Sequence, residues 1–139
     1  MGAGRLLLER IRLLARQRSD FGFETTLAGV TYVSLLRTLK AQGYRINLFF
    51  LWIPTVEMAL ARIADRVRRG GHRIPEPVVR RRFHKGLSHL FHLYRPLLDS
   101  WTLFDNSGLP PRLVAREVGG KLHVFDETVF ARIKKAVSR

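Results

Sequence analysis

The chain has 139 residues, enough for one ordinary domain and no more. Hydrophobic residues are 46% and charged residues 26%, which excludes a wholly disordered chain, and the lack of any cysteine excludes disulfides, thiolate metal sites and cysteine nucleophiles. Twenty-five Lys+Arg against eleven Asp+Glu leave a net charge of +14, a field that attracts nucleotides, nucleic acid or acidic surfaces.

Residues 3–18 read as an amphipathic helix, with Leu7, Leu8, Ile11, Leu14 and Ala15 on one face and Arg5, Glu9, Arg12 and Arg16 opposite. Asp20 to Thr26, where Phe21 and Phe23 alternate with small or polar residues, predicts a strand. A second helix follows Gly29, with Tyr32, Leu35, Leu36 and Leu39 inward and Gly43 as its C-terminal cap. Ile46 to Ile53 is almost continuously apolar, the pattern of a parallel strand covered on both faces. Its longest unbroken apolar run, Leu48 to Pro54, is far shorter than the roughly 18 residues that span a bilayer, so a cytoplasmic domain without membrane contact is expected.

Thr55 caps a helix striped by Val56, Ala59, Leu60, Ile63, Ala64 and Val67, and Gly70-Gly71 breaks it. Pro75 and Pro77 suit the first turn of a further helix, whose apolar face runs from Val79 to Tyr94. Trp101 to Asp105 predicts another strand. Arg112 to Val118 and Leu122 to Phe125 predict a hairpin about Gly119-Gly120-Lys121, and Asp126 caps the last helix. Strands alternating with long helices imply an α/β fold with a mainly parallel sheet, flanking helices, a helical lid over about 66–97 and a C-terminal β-hairpin. Ligands of such sheets gather at the carboxyl ends of the strands: Glu24-Thr25-Thr26, Pro54-Thr55 and Asp105-Asn106-Ser107.

Twenty of the cations are arginines, whose planar fork matches phosphate oxygens. From Arg62 to Arg95 there are ten cations and two anions, on two helices joined by Gly70-Gly71. Such arginines could clamp phosphoryl oxygens as a lid, or form a solvated helix face. Glu24 could accept a hydrogen bond from a substrate hydroxyl, or merely end a strand. His84, His89 and His92 lie among repelling cations without a complementary carboxylate, which favours structural or solvated roles. Neither Gly2-Ala3-Gly4-Arg5 nor Gly120-Lys121-Leu122 has the lysine, hydroxyl and strand–helix context of a phosphate-binding loop.

Four segments together resemble the zeta toxin family of P-loop kinases: Phe23-Glu24-Thr25-Thr26; Leu48-Phe49-Phe50-Leu51-Trp52; Gly70-Gly71-His72 with Ile74-Pro75-Glu76 and Arg80-Arg81-Arg82-Phe83; and Trp101 to Ser107. The resemblance covers roughly residues 5–117. It implies an ATP- and Mg²⁺-dependent kinase acting on a small-molecule hydroxyl, such as that of a nucleotide sugar, in a toxin–antitoxin setting. By position it implies Arg66, Arg81 and Arg82 as catalytic lid cations, Glu24 and Thr25 as substrate-binding residues, and Asn106 and Ser107 as nucleotide-binding residues. Arg73 stands where relatives are often acidic.

Relatives open with a strand and phosphate loop that these residues do not contain. The resemblance therefore implies the C-terminal part of such a kinase, inactive alone, with an N-terminal polypeptide or an antitoxin as partner. The competing expectation is an arginine-rich module that binds nucleic acid through its phosphates without catalysis.

Overall fold

The computed structural model describes residues 2–138. Helix α1 (Ala3–Arg16) buries Ile11 completely and ends in a Schellman turn, with Arg18 left-handed at φ 56° and the Ser19 amide donating to the Leu14 carbonyl. Helix α2 (Thr31–Ala41) buries Leu36 and Leu39. It closes in the same way at Gly43, whose φ of 94° is the conformation glycine adopts without strain.

The strand expected over Asp20 to Thr26 does not form; this segment is irregular. Phe21 packs edge-on against Tyr44 and Phe23 against Tyr32, so the alternation reports half-buried rings. Ring burial needs only a hydrophobic neighbour, whereas a strand needs a second backbone to pair with.

Strand β1 (Asn47–Trp52) runs parallel to β2 (Ser100–Asp105), with Asn47 opposite Ser100 and Trp52 opposite Asp105. Between them the chain passes through helix α3 (Val56–Arg68), helix α4 (Glu76–His89), a single π turn (Leu90–Tyr94) and a short 3₁₀ turn (Arg95–Leu97). Strands β3 (Arg112–Val118) and β4 (Lys121–Val124) complete a sheet in the order β1-β2-β3-β4, and helix α5 (Glu127–Val137) packs on β3.

The expected mainly parallel sheet is corrected to a mixed one, with β3 antiparallel to β2 and β4 antiparallel to β3. The segment from Asn106 to Pro111 is too short for a parallel crossover, which needs about a dozen residues or more, so the chain turns straight back. Gly119 and Gly120, both at positive φ, form the tight β3–β4 hairpin.

The core joins Trp101, Leu103, Val114 and Ala115 of the sheet to Ile11, Leu90, Tyr94 and Ile133 of the helical layer. The Asp99 carboxylate fastens the start of β1, accepting from the Ile46 amide at 2.7 Å and from Lys40 Nζ at 3.3 Å. These bonds, the amide first, hold its pKa below the usual carboxylate value.

Strand β1 is covered on one face only, against the expectation of two. Leu48, Phe50 and Trp52 face the core, while Phe49 and Leu51 are 69% and 56% exposed. Among the described residues no strand pairs with its outer edge. A bare edge beside exposed apolar side chains favours self-association. Replacing Phe49 and Leu51 together by Thr is expected to weaken it at least about tenfold, since covering one such side chain is worth roughly 1.5–3 kcal/mol. Light scattering across a concentration series checks this; equal scattering by parent and variant would show the edge to be inert.

Candidate functional site

The carboxyl end of β1 opens into a cleft of about 540 Å³ between the α3–α4 hairpin and the end of α5. Its walls are largely apolar, with Phe50, Trp52, Ile63, Val79, Phe83 and Leu87 prominent. Arg66 from α3, Arg82 from α4 and Arg132 from α5 also line it, and Arg132 lies over the buried Trp52 ring at 5.6 Å.

Local sequence sets this geometry. Helix α3 starts at Thr55, whose hydroxyl accepts from the Met58 amide, and ends at Gly70 with φ 96°. The Gly71 amide donates to the Arg66 carbonyl at 2.8 Å, and a Cβ on Gly71 would stand 2.9 Å from that oxygen. The glycine pair is thus a close-fitting cap that turns α3 back toward α4. Pro75 precedes α4 and Pro77 lies in its first turn.

Ion pairing sorts the cations of the 62–95 region. Arg68 and Arg69 pair with Asp65, Arg80 pairs with Glu76 and more loosely with Glu57, and Arg95 pairs with Glu117. Arg62 donates to the Asn106 carbonyl at 2.6 Å. Among the described residues Arg66, Arg73, Arg81, Arg82 and Lys85 form no ion pair, so their charged donors are not committed to a carboxylate. Arg66 and Arg82 share the cleft; Arg81 does not line it.

Glu24 and Thr25 are exposed in the irregular segment and outside the cleft, whereas Thr26 lines it. The Thr25 hydroxyl accepts from the Leu27 amide at 3.2 Å, which commits it to shaping its own turn. Asn106 and Ser107 sit at the carboxyl ends of β1 and β2. The Asn106 amide donates to the Trp52 carbonyl at 2.7 Å and the Ser107 amide to Asp105 Oδ1 at 2.9 Å, and neither residue lines the cleft. His89 donates from Nδ1 to the Leu27 carbonyl at 2.6 Å.

Sequence reasoning missed several positions. Arg95, counted there among possible lid cations, is held away by Glu117, which also accepts from Trp101 Nε1 at 3.0 Å. Stacking of Arg95 over Phe91 and Trp101 completes a structural network. Gly86 is another such position, since a lone glycine inside a helical pattern is unfavourable to the helix and hints at a packing reason, here the close approach of the Thr26 carbonyl.

The molecule is thus an α/β domain with two uncommitted arginines at the carboxyl end of β1. The zeta toxin family model matches residues 2–108, and the chain belongs to that family. It is 36% identical over 81 residues to an uncharacterised protein of Haemophilus influenzae, a match covering 58% of this chain and 58% of that protein. The chain thus spans somewhat over half the length of the curated relative it matches. No solved structure matches it. Among the described residues, no helix is long and apolar enough to cross a membrane.

Proposed function

We propose that this chain supplies the lid and acceptor side of an ATP-dependent kinase that phosphorylates a small-molecule hydroxyl, and that it is inactive alone. The observation that carries the reading is the convergence of Arg66 and Arg82, both without a carboxylate partner, on one cleft of a zeta toxin family domain. Phosphoryl transfer is catalysed by positioning and by neutralising charge on the transferred group. Guanidinium groups in a largely apolar cleft suit that task, because each interaction is stronger where water is scarce.

The residues present fit ATP through its phosphates: Arg66 and Arg82 would hold them, and ATP would supply the transferable phosphoryl group. They fit Mg²⁺ less well, since among the described residues no three His, Cys, Asp or Glu side chains cluster as a metal site. In this reading Arg81 is a further lid cation, Glu24 and Thr25 bind the acceptor, and Asn106 and Ser107 bind the nucleotide, although none of the five lines the cleft itself. The partners are accordingly a nucleotide, a hydroxyl-bearing substrate, and a polypeptide that brings the phosphate loop or acts as antitoxin.

Titration with a fluorescent ATP analogue at two salt concentrations tests the reading. The expected result is weak binding that falls with salt, together with no measurable transfer to a nucleotide sugar. Arg66→Ala and Arg82→Ala are each expected to weaken binding about fivefold to tenfold, the worth of one charge-assisted contact near a surface. Binding untouched by either substitution would remove the proposal, and so would transfer by this chain alone.

The exposed Phe49 and Phe125 rings, 69% and 52% accessible, favour a second reading, nucleic-acid binding with stacked bases. Under it, a single-stranded oligonucleotide binds tightly while the ATP analogue does not.

A further inference from the structure

The α4 helix and the π turn after it grip the Thr26–Gly29 loop at three points. A Cβ on Gly86 would stand 2.5 Å from the Thr26 carbonyl oxygen, so helix and loop backbones touch. His89 donates to the Leu27 carbonyl at 2.6 Å; a carbonyl only accepts, so Nδ1 carries the proton. The Tyr94 hydroxyl donates to the Gly29 carbonyl at 2.7 Å.

The π turn makes the third contact possible. In an unbroken α-helix the residue stacked seven places beyond Gly86 is Leu93. The turn Leu90–Tyr94 absorbs one extra residue, so Tyr94 takes that place. Tyr94 is fully buried, and Leu93 is 37% exposed. The gripped loop is itself constrained: Leu27 is buried yet left-handed at φ 57°, a state that a non-glycine residue keeps only when its surroundings impose it.

We infer that His89 is a positioning residue: its bond to the Leu27 carbonyl holds the left-handed turn, so that the loop carrying Glu24 and Thr25 moves as one body with the helix carrying Arg82. The catalytic meaning rests on the kinase reading above, since a fixed spacing between Arg82 and Glu24–Thr25 would keep phosphate ligands and acceptor in register. The mechanical link itself is independent of that reading.

Hydrogen exchange measured by mass spectrometry on the 139-residue chain tests the link. His89→Leu is expected to speed exchange over residues 24–30 about fivefold to tenfold, the factor that one hydrogen bond represents, with β2 and β3 unchanged. His89→Asn, whose side-chain amide can donate from nearly the same place, is expected to restore the parental rate. Uniform acceleration throughout the chain, or no restoration by Asn, overturns the inference, because a merely stabilising histidine has no such local signature. Should His89→Leu not fold, Tyr94→Phe removes a single hydroxyl from the same grip; faster exchange confined to this loop supports the link, and unchanged exchange overturns it. Tripolyphosphate binding is measured on the same samples and on Arg66→Ala with Arg82→Ala, where undiminished binding counts against the kinase reading alone.

Discussion

Glu117→Ala is expected to destabilise the domain by about 2–3 kcal/mol, less than the roughly 3–5 kcal/mol of a fully buried ion pair, because Arg95 keeps 38% of its side chain in water. The Glu117 side chain is only 12% exposed and accepts from both Arg95 and Trp101. Its loss strands a guanidinium between two aromatic rings and leaves the Trp101 N–H without an acceptor in a buried place. Urea unfolding followed by tryptophan fluorescence measures the change. A combined Arg95→Met and Glu117→Leu variant is expected to regain part of it, since neither charge is then left alone. A single variant as stable as the parent would mean that water replaces the network without loss.

The same carboxylate gives a pH dependence with a definite sign. Hydrogen bonding from Arg95 holds the Glu117 pKa below its usual value, and the Ile46 amide does the same for Asp99. A carboxyl group with a depressed folded-state pKa binds fewer protons folded than unfolded. Its stabilisation is complete above the ordinary carboxylate range and is lost as pH falls through the folded values, below about pH 4. Glu117→Ala is therefore expected to flatten the acid limb of the stability profile.

Gly86→Ala sets two effects of opposite sign against each other. Alanine is the better helix former by roughly 0.8–1 kcal/mol, so a helix considered alone would gain. Here the new Cβ would fall 2.5 Å from the Thr26 carbonyl oxygen, a backbone atom that cannot rotate aside. The loop has to move, and the bonds from His89 and Tyr94 to Leu27 and Gly29 weaken with it. Overpacking of this kind costs about 1–3 kcal/mol and outweighs the propensity gain. Thermal unfolding is expected to show a net loss; a net gain would mean that the loop yields to the added methyl group without cost.

What could be read from the sequence was what local rules govern. The helices, their glycine caps at Gly43 and Gly70, the Thr55 and Asp126 N-caps and the β3–β4 hairpin all follow from nearby residues. The error over Asp20 to Thr26 arose because period-two burial of Phe21 and Phe23 is shared by strands and by aromatic loops. The apolar run of β1 suggested cover on both sides, yet composition cannot say which neighbours supply it. At the site, the residues alone showed only a basic helical region, and the family resemblance singled out Arg66, Arg81 and Arg82 as lid cations. Their separation from Arg68, Arg69, Arg80 and Arg95 depended on where the acids lie in space. The hold of His89 on Leu27 crosses 62 positions of chain and left no local trace.

The uncovered face of β1 bears on how stability itself is to be defined for this molecule. A second copy that docks on the folded face presenting Phe49 and Leu51, and not on the unfolded chain, raises the melting temperature by mass action. Where copies associate in this way, thermal midpoints climb with protein concentration, and a value quoted without that concentration describes the mixture rather than the fold.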